Sequence, residues 1–192
     1  MRVWRIPYST HCERVALAAA SVGTPIEWVD VDVYDRSVVQ ELSGQPAVPI
    51  AELDGRIVAG SLEIVARIAP GLWPAEARAR AEADIFVDWF ERVWKQALGV
   101  VYTEADEARV ARAGRRLEGY VDRFEALLDG REYLLGDELG IADVTAYPFV
   151  KYAVDRTPGD DYDIHDRLRR YQPIEGRPRV AAWLARVSTL AQ

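Results

Sequence analysis

The sequence predicts an α/β plus all-α fold, with a small α/β domain over residues 1–70 and a helical bundle over residues 75–192. Strand and helix patterns alternate in the first third of the chain, whereas the remainder carries only helical patterns. Between them, Pro70-Gly71-Leu72-Trp73-Pro74 holds two prolines and a glycine, which together prevent a helix from continuing. We therefore assign residues 71–74 to a linker.

The first half of the α/β domain is predicted to be a strand–helix–strand unit. An apolar strand at residues 2–6 is broken by Pro7, and a helix begins near Thr10, where Thr10 and Glu13 match a T-x-x-E capping box. Alternating residues predict a second strand within 26–33. Because the helix between the two strands supplies a crossover, the strands are expected to pair in parallel.

The second half of this domain is predicted to be a hairpin and a closing helix. After a helical turn at residues 38–42, Asp54-Gly55 indicates a tight turn between strands at 48–53 and 56–59. Ser61 is predicted to cap a helix over residues 62–68. In the second domain, helices are predicted at residues 75–98, 104–128, 141–154, 164–171 and 179–190, with a loop at 155–163.

Composition excludes several classes of function. The formal net charge is -7 and no basic run occurs, which argues against nucleic acid or an anionic membrane as a partner. No apolar run approaches the roughly 18 residues of a membrane span, and the N-terminus is too charged for a secretory signal. The one cysteine, Cys12, allows no internal disulfide, and with two histidines it makes no usual zinc set. We expect a cytoplasmic protein without a metal.

The segment from Tyr8 to Val15 places a hydroxyl and a thiol at the start of the first helix. Unpaired N–H groups and the helix dipole favour an anion there, so a thiolate of the protein or of a ligand would be stabilised. Ser9-x-x-Cys12 has the spacing of the redox motif C-x-x-C, with serine at the reactive first position. The alternative is that Ser9 is an ordinary capping residue and Cys12 a small buried hydrophobe.

Two further segments combine a turn with groups that bind ligands. A Val48-Pro49 bond opening a strand could be cis, which would turn the backbone of Val48 outward as a template for a peptide. Ser61 lies where a strand meets a helix N-terminus, so its hydroxyl and the first N–H groups form an end suited to a carboxylate. The alternative for Ser61 is a simple helix cap.

Taken in this order, the segments resemble the glutathione S-transferase family, of the bacterial type with a serine or cysteine in the N-terminal motif. The resemblance rests on S-x-x-C-x-R-V from Ser9, on Val-Pro before a strand, and on Asp-Gly in a hairpin. It also rests on S-L-x-I from Ser61 and on the segment Gly136 to Val144, which is similar to the family's G-x-x-x-S/T-x-A-D capping segment. It implies a thioredoxin-like first domain and a helical second domain.

The resemblance also implies roles for individual residues. Ser9 would be catalytic, donating a hydrogen bond to the sulfur of glutathione so that more of the thiol is ionised. Val48 would pair with the cysteinyl part of glutathione beside a cis Pro49, and Ser61 would bind the γ-glutamyl carboxylate. Cys12 is a second catalytic candidate, for thiol-transferase chemistry. Asp143 is expected to reach back to the N–H of Gly140 and cap its helix.

One departure from the family pattern concerns Gly60, since the family has Glu, Gln or Asp before the matching serine. Loss of that contact to the γ-glutamyl ammonium, a cost of about 1.5–3 kcal/mol, would favour a different small thiol. Tyr8, His11 and Phe90 are candidates for lining the pocket of a small electrophile, which the resemblance implies lies between the domains. The alternatives to a transferase are a non-catalytic binding protein and a thiol-disulfide transferase or isomerase. By analogy with the family we expect a homodimer.

Overall fold

The computed structural model describes residues 1–154, 156 and 159–190, and it divides into two compact units. The first unit spans Met1–Leu72 and the second spans Trp73–Thr189. The boundary between Leu72 and Trp73 lies within the segment 71–74. Three residues of the expected loop at 155–163 lie outside the described residues, namely Asp155, Thr157 and Pro158.

The first unit is a four-stranded mixed sheet with helices, which confirms the thioredoxin-like α/β class. The sheet has the order β2-β1-β3-β4, with β1 parallel to β2 and antiparallel to β3, and β3 antiparallel to β4. The parallel pair and the hairpin are as the sequence predicts. The elements are β1 Arg2–Arg5, α1 Thr10–Ser21, β2 Glu27–Asp30, α2 Ser37–Ser43, β3 Ile50–Leu53, β4 Arg56–Ala59 and α3 Ser61–Ile68, followed by a 3₁₀ turn at Pro70–Leu72.

Apolar side chains from the sheet and from α1 and α3 form the core of this unit. Val3, Ile50, Val15 and Ile64 are all completely buried, and they come from β1, β3, α1 and α3. The β2 strand is shorter than the predicted 26–33 because its partner ends at Arg5, which pairs with Asp30. The core therefore fixes how the N-termini of α1 and α3 lie relative to the sheet.

The starts of α1 and α3 differ from the sequence predictions in the identity of the capping residue. The predicted T-x-x-E capping box, with Thr10 as the cap, is wrong. Thr10 is the first residue of α1, and the N-cap is Ser9, whose side chain makes no capping hydrogen bond. Similarly, Ser61 does not cap α3 but is its first helical residue, and Gly60 is the N-cap. Gly60 has φ of 92°, a conformation in which a residue with a side chain would be strained.

The second unit contains only helices, which confirms the all-α class. Its elements are α4 Ala77–Trp89, a π-helical turn Phe90–Trp94, α5 Lys95–Thr103, α6 Glu107–Leu127, α7 Ile141–Val150, a 3₁₀ turn Lys151–Ala153, α8 Asp163–Tyr171 and α9 Pro178–Ser188. Every helix of the described residues is too short or too polar to cross a membrane.

The single long helix predicted over residues 75–98 is wrong in one respect, because a π-helical turn interrupts it. That turn brings the rings of Phe90 and Trp94 into a parallel stack with centroids 4.5 Å apart. Both side chains are completely buried, and both rings contact Phe149 of α7 at 5.4 Å. The wider turn thus places two large aromatic residues in the core, four positions apart, and the helical path continues as α5 to Thr103.

The predicted cap of α7 is confirmed. The Asp143 carboxylate accepts a hydrogen bond from the Gly140 N–H at 2.9 Å, as expected from the sequence. It accepts two more, from the Leu134 N–H at 2.9 Å and from Trp183 Nε1 at 2.8 Å. Asp143 therefore joins the start of α7 to the preceding loop and to α9.

Candidate active site

The turn between β1 and α1 presents Ser9 at the positive end of a helix. Tyr8 has φ of 62°, which is uncommon for a residue with a bulky side chain, and it reverses the chain before α1. The Ser9 N–H donates to the Ile6 carbonyl at 3.2 Å, which fixes the turn. Both Tyr8 and Ser9 are half-buried. Since Ser9 makes no side-chain cap, its hydroxyl is not committed to the N–H groups of the helix.

Cys12 is the third residue of α1, within its first turn, and is only 3% exposed. Burial raises the pKa of its thiol to about 11, and hydrogen bonds from Ser9 and the Ile6 backbone act in the opposite direction without overcoming it. A thiol with such a pKa is protonated at neutral pH, and the thiolate is the reactive form. The environment of Cys12 is therefore that of a small buried apolar residue and does not support a catalytic role.

Ser61 is held by two side chains of α1. Arg14 Nη1 donates to Ser61 Oγ at 3.0 Å, and His11 Nδ1 lies 3.5 Å from the same oxygen. Arg14 is 1% exposed and Ser61 is 7% exposed, while His11 is half-buried. The structure thus brings together two of the predicted site residues, His11 and Ser61, which lie on different helices and are 50 positions apart in the chain.

Arg14 is the residue of this site to which the sequence motif alone assigned no role. The sequence feature that could have identified it is its position in α1, between Cys12 and Val15, which are both buried. Arginine is rarely buried completely unless it is paired, so an arginine on an apolar helix face indicates a positioning role. Here the guanidinium orients the Ser61 hydroxyl and supplies positive charge beside the N-terminus of α3.

The two predicted ligand-binding segments of the hairpin lie side by side. The Val48-Pro49 bond is cis, as the resemblance implied. The Gly60 N–H donates to the Pro49 carbonyl at 3.2 Å, and Ile50 pairs with Ala59 in the adjoining strands. Val48 is half-buried and Pro49 is buried, and Gly60 is exposed. The β3–β4 hairpin therefore brings Pro49 next to Gly60 and Ser61 at one end of the sheet.

Phe90, the third residue expected to line a substrate pocket, lies in the second unit and is completely buried. Its ring is enclosed by Phe86, Trp94 and Phe149, so it presents no surface to a ligand. Of the pocket candidates, Tyr8 and His11 retain accessible surface in the first unit. Within the described residues, no group of three or more His, Cys, Asp or Glu side chains is placed to hold a metal ion.

The site combines two helix N-termini with side chains suited to a thiol that also carries a carboxylate. At α1, the Ser9 hydroxyl and the helix dipole would stabilise a thiolate. At α3, the Ser61 hydroxyl and the first N–H groups, with Arg14 behind them, would bind a carboxylate.

This fold and site define a class of proteins with a thioredoxin-like first unit and a helical second unit. Comparison with family models matches residues 4–69 to the glutathione S-transferase N-terminal domain and residues 107–186 to the glutathione S-transferase C-terminal domain. The chain belongs to the glutathione S-transferase family.

Individual relatives support the same fold. Glutathione S-transferase L1 of Arabidopsis thaliana is 22% identical over 173 residues, which cover 86% of this chain and 67% of the relative. The Tau class enzyme of mango, Mangifera indica, superposes with a TM-score of 0.77 at 16% identity, covering 97% of this chain and 87% of the other. Rice GST1, whose structure contains glutathione, superposes with a TM-score of 0.76 at 25% identity, covering 96% and 86%.

Proposed function

We propose that this protein is a glutathione transferase-like enzyme that activates a small thiol for attack on an electrophilic small molecule. The single observation that carries the proposal is the position of Ser9. Its half-buried hydroxyl lies at the N-terminus of α1 without capping the helix. A hydroxyl in that place can donate to a bound sulfur and favour its ionised form.

In the proposed complex each remaining residue binds one part of the thiol compound. The Val48 backbone pairs with the central, cysteinyl part of the ligand. Ser61, oriented by Arg14 and next to His11, binds a carboxylate at the N-terminus of α3. Tyr8 and His11 lie beside the reacting sulfur and contact the electrophile. The rice relative bound to glutathione supports glutathione as the first ligand to test.

The Ser9→Ala variant tests the proposed catalytic hydrogen bond. We expect kcat/KM for conjugation of a chromogenic aryl halide to fall by about 10- to 100-fold, the cost of one hydrogen bond to a charged group. We also expect the apparent pKa of the bound thiol in a pH–rate profile to rise, because the thiolate loses a donor. Ultraviolet absorbance of the thiolate complex provides an independent measurement of that pKa.

Two control variants make the Ser9 experiment specific. Thr10→Ala removes the neighbouring hydroxyl, at the first helical position, and should leave kcat/KM within about twofold. Cys12→Ser tests the thiol-disulfide alternative, and the buried, protonated thiol leads us to expect unchanged conjugation. If Cys12→Ser abolishes activity while Ser9→Ala retains it, the proposal is wrong and Cys12 is the reactive group.

A non-catalytic binding protein is the second candidate, and Gly60 is the observation that favours it. Gly60 has no side chain that could accept a hydrogen bond from the ammonium group of glutathione. The φ of 92° at this position favours glycine over other residues. Calorimetric titration with glutathione, and then with small thiols that lack an α-ammonium group, separates the candidates. Absence of binding by every thiol at millimolar concentration would rule out the transferase.

We further propose that the protein is a homodimer in which the second unit contributes an apolar contact surface. A groove of about 570 Å³ between α4 and α6 is lined mostly by apolar side chains, including Ile85, Phe86 and Trp89, and also by the charged residues Glu82 and Arg123. Ile85 is 69% exposed, which is unusual for a large aliphatic residue beside other apolar groups. Packing of a second copy against this groove would remove that apolar surface from water.

A further inference from the structure

A second cleft, between α5 and α6, is lined by arginine side chains above a floor of small residues. Its volume is about 270 Å³, and Arg109, Arg112 and Arg116 come from one helix at spacings of three and four residues. This spacing places all three side chains on the same face of α6. The floor consists of Ala97, Val100 and Ala113.

The small side chains of the floor create the space, and the long side chains provide the charge. Ala97 and Ala113 are each 5% exposed, so α5 and α6 approach closely there. The arginine side chains extend from α6 beyond this contact and are exposed. A small ligand in the cleft would rest on an apolar floor with guanidinium groups along one wall.

The charges in the cleft are poorly balanced by the protein itself. Arg109 pairs with Glu104 at 2.8 Å, but among the described residues neither Arg112 nor Arg116 has an acidic partner within 4 Å. Elsewhere in this unit some exposed helix arginines are paired with acids, as in Arg78–Glu82, Arg80–Asp84, Arg92–Asp88 and Arg179–Asp129, whereas others, such as Arg115 and Arg123, have no acidic partner among the described residues. Two cations without an acidic partner in the described part of the chain therefore line the same cavity.

We propose that this arginine cleft binds a small anion with two or more negative charges on carboxylate or phosphate groups. Guanidinium groups match both kinds of anion through paired N–H donors, and two adjacent arginines repel one another less when an anion lies between them. The volume suits a small molecule rather than a polymer. The net charge of -7 also disfavours a polyanion such as nucleic acid, whose extended charge would meet the acidic surface.

Titration of the full chain with pyrophosphate and, separately, with citrate tests the site and distinguishes its two ligand chemistries. At low ionic strength we expect calorimetry to detect one site with a Kd of about 1 mM or lower for at least one of the two anions. The double variant R112Q/R116Q should weaken that binding by about tenfold or more. Glutamine retains a high helix propensity, so α6 should be preserved.

Arg115→Gln is the matched control, because Arg115 is exposed on the same helix but does not line the cleft. It removes one positive charge from the same helix, against two in R112Q/R116Q, and should change Kd by about twofold or less. The variant R112K/R116K keeps the charges but loses the paired donors, and we expect an intermediate affinity.

Three outcomes would overturn the proposal. They are absence of binding by both anions at millimolar concentration, equal losses for R115Q and R112Q/R116Q, and no loss for R112Q/R116Q when circular dichroism shows it folded. If that double variant does not fold, the R112K/R116K variant provides the same comparison with Arg115→Gln. Conjugation activity measured without either anion is independent of this cleft, so failure here leaves the proposed transferase chemistry untouched.

Discussion

At the scale of single residues, Asp143 shows how the fold uses a carboxylate that it has removed from water. Asp143 is 1% exposed and accepts hydrogen bonds from Leu134, Gly140 and Trp183. Burial raises its pKa to about 6, while the three donors act in the opposite direction. The residue therefore organises the loop, α7 and α9 at an electrostatic cost that depends on pH.

Asp143→Asn should reduce the free energy of unfolding by about 2 kcal/mol at pH 7, because the amide places an NH₂ group against backbone or indole donors. The pH dependence follows from the raised pKa. Between about pH 4 and about pH 6 the folded protein binds a proton that the unfolded chain releases, so the contribution of Asp143 to stability falls as pH rises through that range. The stability difference between wild type and variant should therefore narrow from pH 4 to pH 6 and remain constant above it.

Urea unfolding of both proteins at pH 4, 5, 6 and 7 measures this difference. Wild-type protein alone is insufficient, because other carboxylates also titrate in this range. If the stability difference between wild type and variant widened with rising pH, the pKa of Asp143 would be lower in the folded protein than in the unfolded chain. That result would contradict the raised pKa expected here.

The site residues show which features were predictable from the sequence. The placement of Ser9 and Ser61 at strand–helix junctions could be predicted, because a hydroxyl residue at such a junction has a local signature. The contact of Arg14 with Ser61 could not, since it joins residues 47 positions apart and depends on how α1 and α3 pack. The burial of Phe90 could not be predicted from the sequence either, because aromatic residues along one face of a helix have the same spacing whether that face packs in a core or lines a ligand site.

At the scale of elements, the packing of α6 against α8 depends on a glycine. A side chain added at Gly114 would overlap the ring of Tyr171, whereas nothing lies within 4 Å of the position that it would occupy at Gly119. Both glycines lie inside α6, where alanine is intrinsically preferred by about 1 kcal/mol. The two positions therefore separate helix propensity from packing.

Gly114→Ala should lower the free energy of unfolding by about 1–3 kcal/mol, since overpacking outweighs the gain in helix propensity. Gly119→Ala, on the same helix, should raise it by about 0.5–1 kcal/mol. Chemical denaturation monitored by circular dichroism measures both changes. Stabilisation by both substitutions would show that the Tyr171 ring, or α8 as a whole, can move away from α6 at little cost.

The boundaries of elements show a similar limit to prediction. The hairpin was placed correctly because Asp54-Gly55 fixes a turn within four residues, a purely local effect. The end of β2 was placed too far along because strand length depends on the partner strand, which ends at Arg5. The π-helical turn at Phe90–Trp94 has no local signature either, and it follows from the packing of those rings against α7.

At the scale of the whole molecule, the sequence predicted the α/β and all-α classes because their hydrophobic periods differ. Two prolines around Gly71 then marked the change from one to the other. The hydrophobic periodicity of the sequence does not predict self-association, because a surface residue contacts a second chain only in the assembled protein. The exposed apolar groove between α4 and α6 is a feature that the folded chain reveals and the helical pattern does not.

Ile85→Asp should convert the proposed homodimer to a monomer. In a symmetric dimer the substitution occurs on both subunits and places two charges where apolar surface is buried, so we expect the dimer Kd to rise by about 100-fold or more. Sedimentation velocity over a range of micromolar concentrations measures this change, and thermal unfolding establishes that the subunit remains folded. Val22→Asp is the control, because Val22 is 48% exposed at the end of α1 and does not line the groove. A wild-type protein that sediments as a monomer throughout that range, or an Ile85→Asp variant that remains dimeric, would show that the groove is not a contact between copies of this chain.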